Sequence, residues 1–181
     1  MRVSPPMAGR FDADQAECQV FTFKEGLLSA VAHDLELRVT EFEIEVSDDR
    51  SEVKARFDAG SIRVVDAIID GRRSPGTLGR WDKRKIESNI VNEVFSRREP
   101  EIRFASESVR AADSGWEIRG TLTIAGRSRS LTIPVHREED RAVGEVSIHQ
   151  PDFGIKPYSA MLGTLRIQPE IKVRICLPLD G

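Results

Sequence analysis

Three histidines, His33, His136 and His149, are the side chains best suited to catalysis or metal binding. Their spacing contains no HExxH or HxH arrangement, which would bring two imidazoles to one metal ion. Asp34 follows His33, but adjacent side chains of a strand point to opposite faces, so a His–Asp hydrogen bond is not expected there. We interpret His33 as a partly buried polar residue near a strand end. His136 and His149 are also placed at strand ends.

Motifs for nucleophilic or phosphate chemistry are missing as well. The chain contains no GxSxG elbow, no GxxxxGK[ST] loop and no GxGxxG fingerprint. Its two cysteines, Cys18 and Cys176, lie near opposite ends of the sequence and belong to no CxxC motif or Cys/His cluster. We expect both thiols to be reduced and buried, and they would be neighbours if the first and last strands pair. The sequence therefore predicts no catalytic residue, no metal site and no cofactor.

A basic run covers residues 71–85, where Asp82 is the single counter-charge; its cations are Arg72, Arg73, Arg80, Lys83, Arg84 and Lys85. Such a run is typical either of a grip on an anionic head group or of a solvated loop and helix face, and the second is more common. Trp81 alone interrupts the run, so the aromatic stacking ladder of a nucleic-acid site is absent. A net charge of −3 likewise gives no overall bias toward nucleic acid.

Alternation of apolar and polar residues recurs along the chain and predicts β-strands. Residues 27–46 pass from small apolar residues into an alternating stretch whose phase shifts near Thr40. Gly120 lies inside another alternating stretch, where a glycine indicates a bulge or a close approach of the backbone. About eight such strands with hairpin-like spacing favour an antiparallel barrel or sandwich.

One segment has helical periodicity. Residues 81–96 place Ile86, Ile90 and Val94 four apart, which is an amphipathic stripe, and Pro100 prevents its continuation. Residues 71–79 before it are rich in glycine and proline and are predicted to be a flexible loop. A helix of this kind can close one end of a barrel.

A length of 181 residues suits one domain. Pro5, Pro6 and Gly9 oppose regular structure, so residues 1–9 are predicted to form a flexible leader and residues 10–181 a single domain. The leader has no apolar stretch like that of a secretory signal, and no window of the chain has the composition of a membrane span. We expect a cytoplasmic protein that does not span a membrane.

Four pieces in the same order make the chain resemble the YceI-like family over about residues 10–179. The segment VFTFKEGLLSAVAHDLEL resembles the family's first strand and its histidine-bearing continuation, and IESNIVNEVFSRREPEIRFAS resembles its helix and P-x-I-x-F-x-S strand. IRGTLTIAGRSRSLTIPV resembles the G-x-L-T-I-x-G hairpin, and QPDFGIKP the late R-x-D-F-G motif, with Gln150 at the arginine position. The family's R-D-x-H-L is replaced here by WDKRKIESNI.

The resemblance implies an all-β fold with one short helix: an antiparallel eight-stranded lipocalin-like β-barrel with the amphipathic helix near one end. It also implies non-catalytic binding, transport or sequestration of a long apolar amphiphile, such as a polyisoprenoid, an isoprenoid quinone or a fatty-acid derivative, by a protein that forms a homodimer. On this hypothesis His33 bonds a ligand head group or orders the barrel mouth, while Asp34 bonds backbone or a nearby cation. The predicted ligand-binding residues are Phe23, His33, Leu35, Leu37, Phe42, Ile44, Phe57, Ile86, Ile90, Val94, Phe104, Ile118, Leu122 and Phe153.

Two alternatives stay open at this point. An eight-stranded barrel can be filled by its own side chains, and the protein would then be a structural or protein-interaction module. A hydrolase acting on a lipid-like substrate, with His33 or His149 as general base, is less favoured because no nucleophile or acid–base pair is evident. The volume of the interior decides between the carrier and the filled barrel.

Overall fold

The fold is a strongly curled antiparallel sheet with one short helix. The computed structural model describes residues 7–25, 33–96 and 100–179, so residues 1–6 of the predicted leader and 27–32 of the segment before His33 lie outside the described part. The strands are β1 Gly9–Phe11, β2 Glu17–Thr22, β3 Lys24–Glu25, β4 Asp34–Val39, β5 Phe42–Val46, β6 Val53–Asp58, β7 Ile62–Ile69, β8 Arg72–Ser74, β9 Glu101–Ala112, β10 Gly115–Ile124, β11 Arg127–Glu138, β12 Arg141–His149, β13 Ser159–Ala160, β14 Leu165–Ile167 and β15 Glu170–Pro178.

The strands of the described residues form two sheets. The larger one has 12 strands in the order β1-β5-β6-β9-β10-β11-β12-β15-β2-β4-β7-β8, and the smaller one has the order β13-β14-β3. The predicted class, mostly antiparallel β with one short helix, is confirmed, but the predicted count of eight strands is wrong. One reason is that a bend divides one long stretch into β4 and β5, and a second bend divides another into β6 and β7. The other reason is that edge strands such as β1 and β8 have three residues each, which is too few to show an alternating pattern.

A sharply bent hairpin explains the curl of the large sheet. Strands β4 and β5 are separated only by Thr40 and Glu41, yet β4 pairs with β2 and β7 whereas β5 pairs with β1 and β6. A 3-10 turn, Ala59–Ser61, divides the partner stretch into β6 and β7 at the same place. Both ends of the strand order therefore belong to one hairpin, so the sheet must curl until its two ends approach each other. The phase shift near Thr40 marks this corner.

The side chain of Ser61 holds the corner together. Its Oγ accepts hydrogen bonds from the backbone N–H of Thr40 (3.2 Å) and of Glu41 (2.9 Å) and donates to the carbonyl oxygen of Asp58 (2.7 Å). Ser61 is 2% exposed, so water cannot replace these partners. The hydroxyl thus satisfies backbone groups that the bend removes from the strand ladder.

The predicted helix over residues 81–96 is present as α1, Arg80–Asn89, followed by a wider turn with i→i+5 hydrogen bonding over Ile90–Val94. It is fastened to a bulge in β7, where the register shifts because Glu36 pairs with Asp66 but Leu37 pairs with Val64. Backbone groups at this bulge bond to helix side chains. Glu87 accepts from the N–H of Val64 (2.9 Å), and the ammonium of Lys83 donates to the carbonyl oxygen of Val65 (2.6 Å).

The basic run before the helix is partly ordered by ion pairs. Residues 72–74 of the predicted loop form β8, and Arg73 donates two hydrogen bonds to Glu36 on β4, at 2.5 and 2.6 Å. Glu36 is 2% exposed and also accepts from the side chain of Gln19 (3.0 Å). The hydrogen bonds from Arg73 and the charge of Glu36 raise the pKa of the arginine. A buried carboxylate with these partners anchors the edge strand across β7.

We expect Ser61→Ala to lower the free energy of unfolding by about 1–3 kcal/mol, because it removes the three hydrogen bonds of a buried hydroxyl. Urea denaturation followed by circular dichroism measures the change. Ser128→Ala is the matched control, since Ser128 is exposed and its hydroxyl bonds, among the described residues, only another hydroxyl, that of Thr123. The control is expected to stay within about 0.5 kcal/mol of the parent. Equal stability of the two variants would refute the role given to the corner.

Candidate functional site

The interior of the curled sheet is hollow. It encloses a cavity of about 720 Å³, lined by the inward side chains of the large sheet together with those of α1 and the turn after it. The inward positions are odd-numbered on β4, β6 and β11 and even-numbered on β5 and β12, as alternation requires. Small residues at wall positions, among them Ala55, Ala142 and Gly144, leave space that larger side chains would fill. The filled-barrel alternative requires an interior that side chains fill completely, and this requirement is therefore not met.

The chemical character of the lining differs from wall to mouth. The walls are almost entirely aliphatic and aromatic, whereas most polar lining residues come from the end of β2, the start of β4, the helix region and the segments after β12: Thr22, His33, Thr77, Asp82, Lys85, Asn89, Gln150 and Tyr158. We call these eight residues the polar mouth. A long molecule with one polar end would match this division, because its tail leaves water while its head keeps hydrogen-bonding partners.

One hydrogen bond and one unpartnered hydroxyl characterise the polar mouth. The amide of Asn89 donates to the hydroxyl oxygen of Tyr158 (3.0 Å), which ties α1 to the segment before β13. Burial, with a smaller contribution from Glu93, raises the pKa of Tyr158, so the phenol stays protonated and can donate to a ligand. The hydroxyl oxygen of Thr22 is buried and has no hydrogen-bond partner among the described residues. Such a group is suited to a polar atom of a ligand.

Twelve of the predicted ligand-binding residues line this one cavity: His33, Leu35, Leu37, Ile44, Phe57, Ile86, Ile90, Val94, Phe104, Ile118, Leu122 and Phe153. Phe23 and Phe42 do not. Val20 and Thr22 of β2 line the cavity, whereas Phe23, which lies between β2 and β3, does not. Phe42 packs beside the lining, with its ring centroid 5.7 Å from that of Phe57. Whether the twelve contact a ligand stays a prediction.

Gly120 in β10 lies at a bulge and close to a neighbouring backbone, as its position inside an alternating stretch indicates. The register between β9 and β10 shifts at Gly120, and a Cβ placed there would lie 2.4 Å from the carbonyl oxygen of Ala105 and 2.6 Å from the ring of Phe104. The missing side chain therefore leaves room for the Phe104 ring and for the backbone of β9.

The histidines occupy three different environments. His33 lines the cavity, and Asp34 next to it accepts a hydrogen bond from the backbone N–H of Lys24 (2.8 Å), which confirms the predicted backbone bond of Asp34. His149 is exposed, while its neighbours Ile148 and Gln150 face the cavity. His136 is bonded to Glu138 (2.9 Å) outside the cavity, and this bond lowers the pKa of that carboxyl. The described residues contain no cluster of potential metal ligands.

Several mouth residues carry no recognisable sequence signal. Tyr158 and Asn89 meet across 69 positions of sequence, and only the fold brings them together. Gln150 was visible as the residue at the arginine position of a family motif. Its amide donates to the carbonyl oxygens of Gln168 (3.2 Å) and Pro169 (3.4 Å), which fixes the segment that enters β15. Thr22 was detectable only by choosing the correct face of β2.

The environment of Cys18 indicates how well the cavity wall excludes water. Strands β2 and β15 pair with Cys18 opposite Ile175 and Cys176 opposite Glu17, so the two cysteines lie on neighbouring strands, but alternation turns Cys18 to the cavity and Cys176 to the outer face of the sheet. Both thiols are free and buried. Burial, with a smaller contribution from the nearby Cys176, raises the pKa of Cys18 to about 12. The thiol is therefore neutral and poorly nucleophilic at ordinary pH.

We expect Cys18 in the Cys176→Ser variant to resist iodoacetamide at pH 8, because the thiolate forms only as the pH approaches 12. Intact-mass spectrometry over time measures the modification. The same variant unfolded in urea is the control and should be modified quickly and completely. Fast modification of the folded protein would indicate a wet, open cavity and contradict the description of its wall.

Comparison with known proteins follows the architecture. The family model described as the YceI-like domain matches residues 11–178. BcnA of Burkholderia cenocepacia is similar in structure, with a TM-score of 0.63 and 13% identity, covering 93% of this chain and 99% of that chain. A polyisoprenoid binding domain from Saccharophagus degradans, implicated in plant cell wall breakdown, has a TM-score of 0.58 and 12% identity, covering 94% and 97%. The YCEI protein of Campylobacter jejuni has a TM-score of 0.50 and 12% identity, covering 81% and 86%.

No curated protein matches the chain. At the identities above, the structural similarities support the fold alone, and they agree with the curled antiparallel sheet and its helix. The match to the family model runs from Phe11 in β1 to Pro178 at the end of β15 and so includes almost every element described. The chain therefore belongs to the YceI-like family.

Proposed function

We propose that the protein binds a long apolar amphiphile inside the curled sheet and carries or sequesters it without chemical change. The observation that carries the proposal is the hollow cavity of about 720 Å³, whose walls are apolar and whose polar groups gather at the mouth. Removing an apolar chain from water into such walls is favourable by roughly 25 cal/mol per Å² of surface. No covalent step is needed for this function.

The cavity volume limits the tail that fits. A methylene group occupies about as much space as a water molecule, roughly 30 Å³, so 720 Å³ holds about two dozen carbon atoms. A polyisoprenoid, the side chain of an isoprenoid quinone and a fatty-acid derivative all meet this requirement up to that length. The polyisoprenoid binding domain of Saccharophagus degradans shares the fold and supports this class of ligand. A longer tail would extend through the mouth.

The polar mouth supports a small head group of mixed hydrogen-bonding character. Tyr158 and Lys85 supply donors, Asp82 an acceptor, and the imidazole of His33 either. The combination of one carboxylate with one ammonium opposes a strongly charged head group and suits a hydroxyl, a carbonyl or a single carboxylate. The proposed role of His33 is to bond this head group.

The enzymatic alternative receives less support from the site. His149 is exposed and does not line the cavity, and among the described lining residues His33 is accompanied by no activated nucleophile, because burial keeps Cys18 protonated. No helix among the described residues has the length and apolar character needed to cross a bilayer. The cytoplasmic location and the homodimer stay predictions.

Native mass spectrometry of the protein purified from its own host tests the proposal. We expect a stoichiometric added mass that organic extraction recovers as an isoprenoid, quinone or fatty-acid derivative. A ligand-free protein would then be titrated with cis-parinaric acid, a fluorescent fatty acid, to test whether the cavity accepts an apolar chain. An apo mass together with no saturable binding of this probe would refute the proposal.

A matched pair of tryptophan variants tests whether the interior is the binding site. Val173 on β15 lines the cavity, whereas the adjacent Lys172 is exposed on the outer face. We expect Val173→Trp to weaken binding of cis-parinaric acid at least about tenfold, because the indole occupies space that the chain needs. Lys172→Trp should bind like the parent. Circular dichroism verifies that both variants fold, and equal affinities would locate binding elsewhere.

A further inference from the structure

The outward side of α1 has an unusual composition. Trp81 is 85% exposed, and Arg84 and Lys85 follow it at the i+3 and i+4 positions, which lie on the same side of a helix as Trp81. Arg80 precedes it and is also exposed. We call Arg80, Trp81, Arg84 and Lys85 the helix outer face. It combines one large apolar side chain with three cations.

Trp81 is not packed into the part of the fold that the structure describes. The helix is held to β7 through Glu87 and Lys83, and Ile86 and Ile90 on its other side pack against the core. Large aromatic residues bury most of their surface in ordinary domains, as Trp116 does at 8% exposure. An aromatic side chain left outside a helix that is already anchored points to contact with something other than this domain.

The cations of the helix outer face are not neutralised within the described residues. Arg73 and Lys83 of the same basic run have acidic partners, Glu36 and Asp66, whereas Arg80, Arg84 and Lys85 form no ion pair in the described ranges. Asp82 between them accepts a hydrogen bond from the N–H of Gly79 (3.0 Å). The face is therefore locally positive on a chain of net charge −3 and complements an anionic surface.

A second exposed apolar residue belongs to the mouth region. Leu162 is 106% exposed and has a φ of +57°, a conformation that is unfavourable for leucine. It lies in the turn between β13 and β14, and its near neighbours Ala160 and Leu165 line the cavity. Because Tyr158 just before β13 bonds to Asn89 of α1, the turn and the helix border the same mouth.

We propose that the helix outer face and Leu162 dock the protein on the surface of an anionic lipid bilayer, so that the amphiphile passes between the membrane and the polar mouth. Tryptophan favours the interface between head groups and acyl chains, and arginine and lysine beside it attract anionic lipids. This inference rests on the proposed function, because a carrier of a membrane-soluble amphiphile must exchange its ligand with a bilayer. The exposed groups lie on or beside the elements that carry Asp82, Lys85, Ala160 and Leu165, which line the cavity that the ligand would enter.

Co-sedimentation with lipid vesicles tests the proposal on the intact protein. We expect binding to vesicles of phosphatidylcholine mixed with phosphatidylglycerol, weaker binding to phosphatidylcholine alone, and loss of the difference at high salt. The double variant Arg80→Glu/Arg84→Glu should partition to the anionic vesicles at least about 25-fold more weakly, since each cation near such a surface contributes about fivefold. Trp81→Ala and Leu162→Ala should weaken binding to both kinds of vesicle.

Matched controls separate this surface from net charge and hydrophobicity. Arg110→Glu/Arg137→Glu makes the same charge change at exposed positions near the opposite strand ends, and Met7→Ala removes an exposed apolar side chain far from the mouth. Both controls should bind vesicles like the parent. If they lose binding as the mouth variants do, or if the parent ignores anionic vesicles, the docking proposal is overturned.

Binding of cis-parinaric acid in vesicle-free solution distinguishes the two proposals. The variants at Arg80, Arg84, Trp81 and Leu162 should keep the parent affinity for this probe, because none of these residues lines the cavity. If the parent binds the probe but does not bind vesicles, docking is refuted and the carrier function stands. The helix outer face would then be a candidate surface for a protein partner. If the parent does not bind the probe, the carrier function itself is refuted.

Discussion

The bent hairpin from Asp34 to Ile69 is the constraint on which the rest of the architecture depends. Its two arms, β4 with β5 and β6 with β7, belong to both ends of one strand order, and the buried hydroxyl of Ser61 satisfies the backbone groups that the bend removes from the ladder. A flat sheet cannot meet this requirement. The curl follows from connectivity, and the hydrogen bonds of the corner stabilise it.

The cavity is a consequence of that curl and of side-chain size. A sheet of 12 strands encloses more space than its own inward residues fill, particularly where Ala55, Ala142 and Gly144 form the wall. The helix covers part of this space and is fixed at the bulge of β7, where Lys83 and Glu87 bond to backbone groups. One helix therefore has three tasks: its inner side completes the apolar wall, its polar residues contribute to the mouth, and its outer side remains available for contact.

Charge is distributed according to these tasks. The cations that hold the fold, Arg73 and Lys83, are matched with carboxylates that are buried or half-buried, whereas the cations of the helix outer face are left to solvent among the described residues. Apart from Lys85, which belongs to both the polar mouth and the helix outer face, the carrier function and the docking of the mouth on a bilayer would thus use different residues of one short segment. This separation is what allows the two functions to be tested independently.

Local patterns in the sequence determined the class of the fold, the position of the helix, the phase shift at the corner and most of the residues that face the interior, because alternation and helical periodicity depend on near neighbours. The resemblance to the family, based on four motifs in the same order, led to the expectation of a cavity for an apolar ligand. Only the tertiary structure decided the strand count, the inward face of β2, the place of Phe23 and the contact between Asn89 and Tyr158, because each depends on pairing between distant segments. It also decided that the interior is hollow, since an enclosed volume is set by the curvature of the whole sheet and by the sizes of all its inward side chains together.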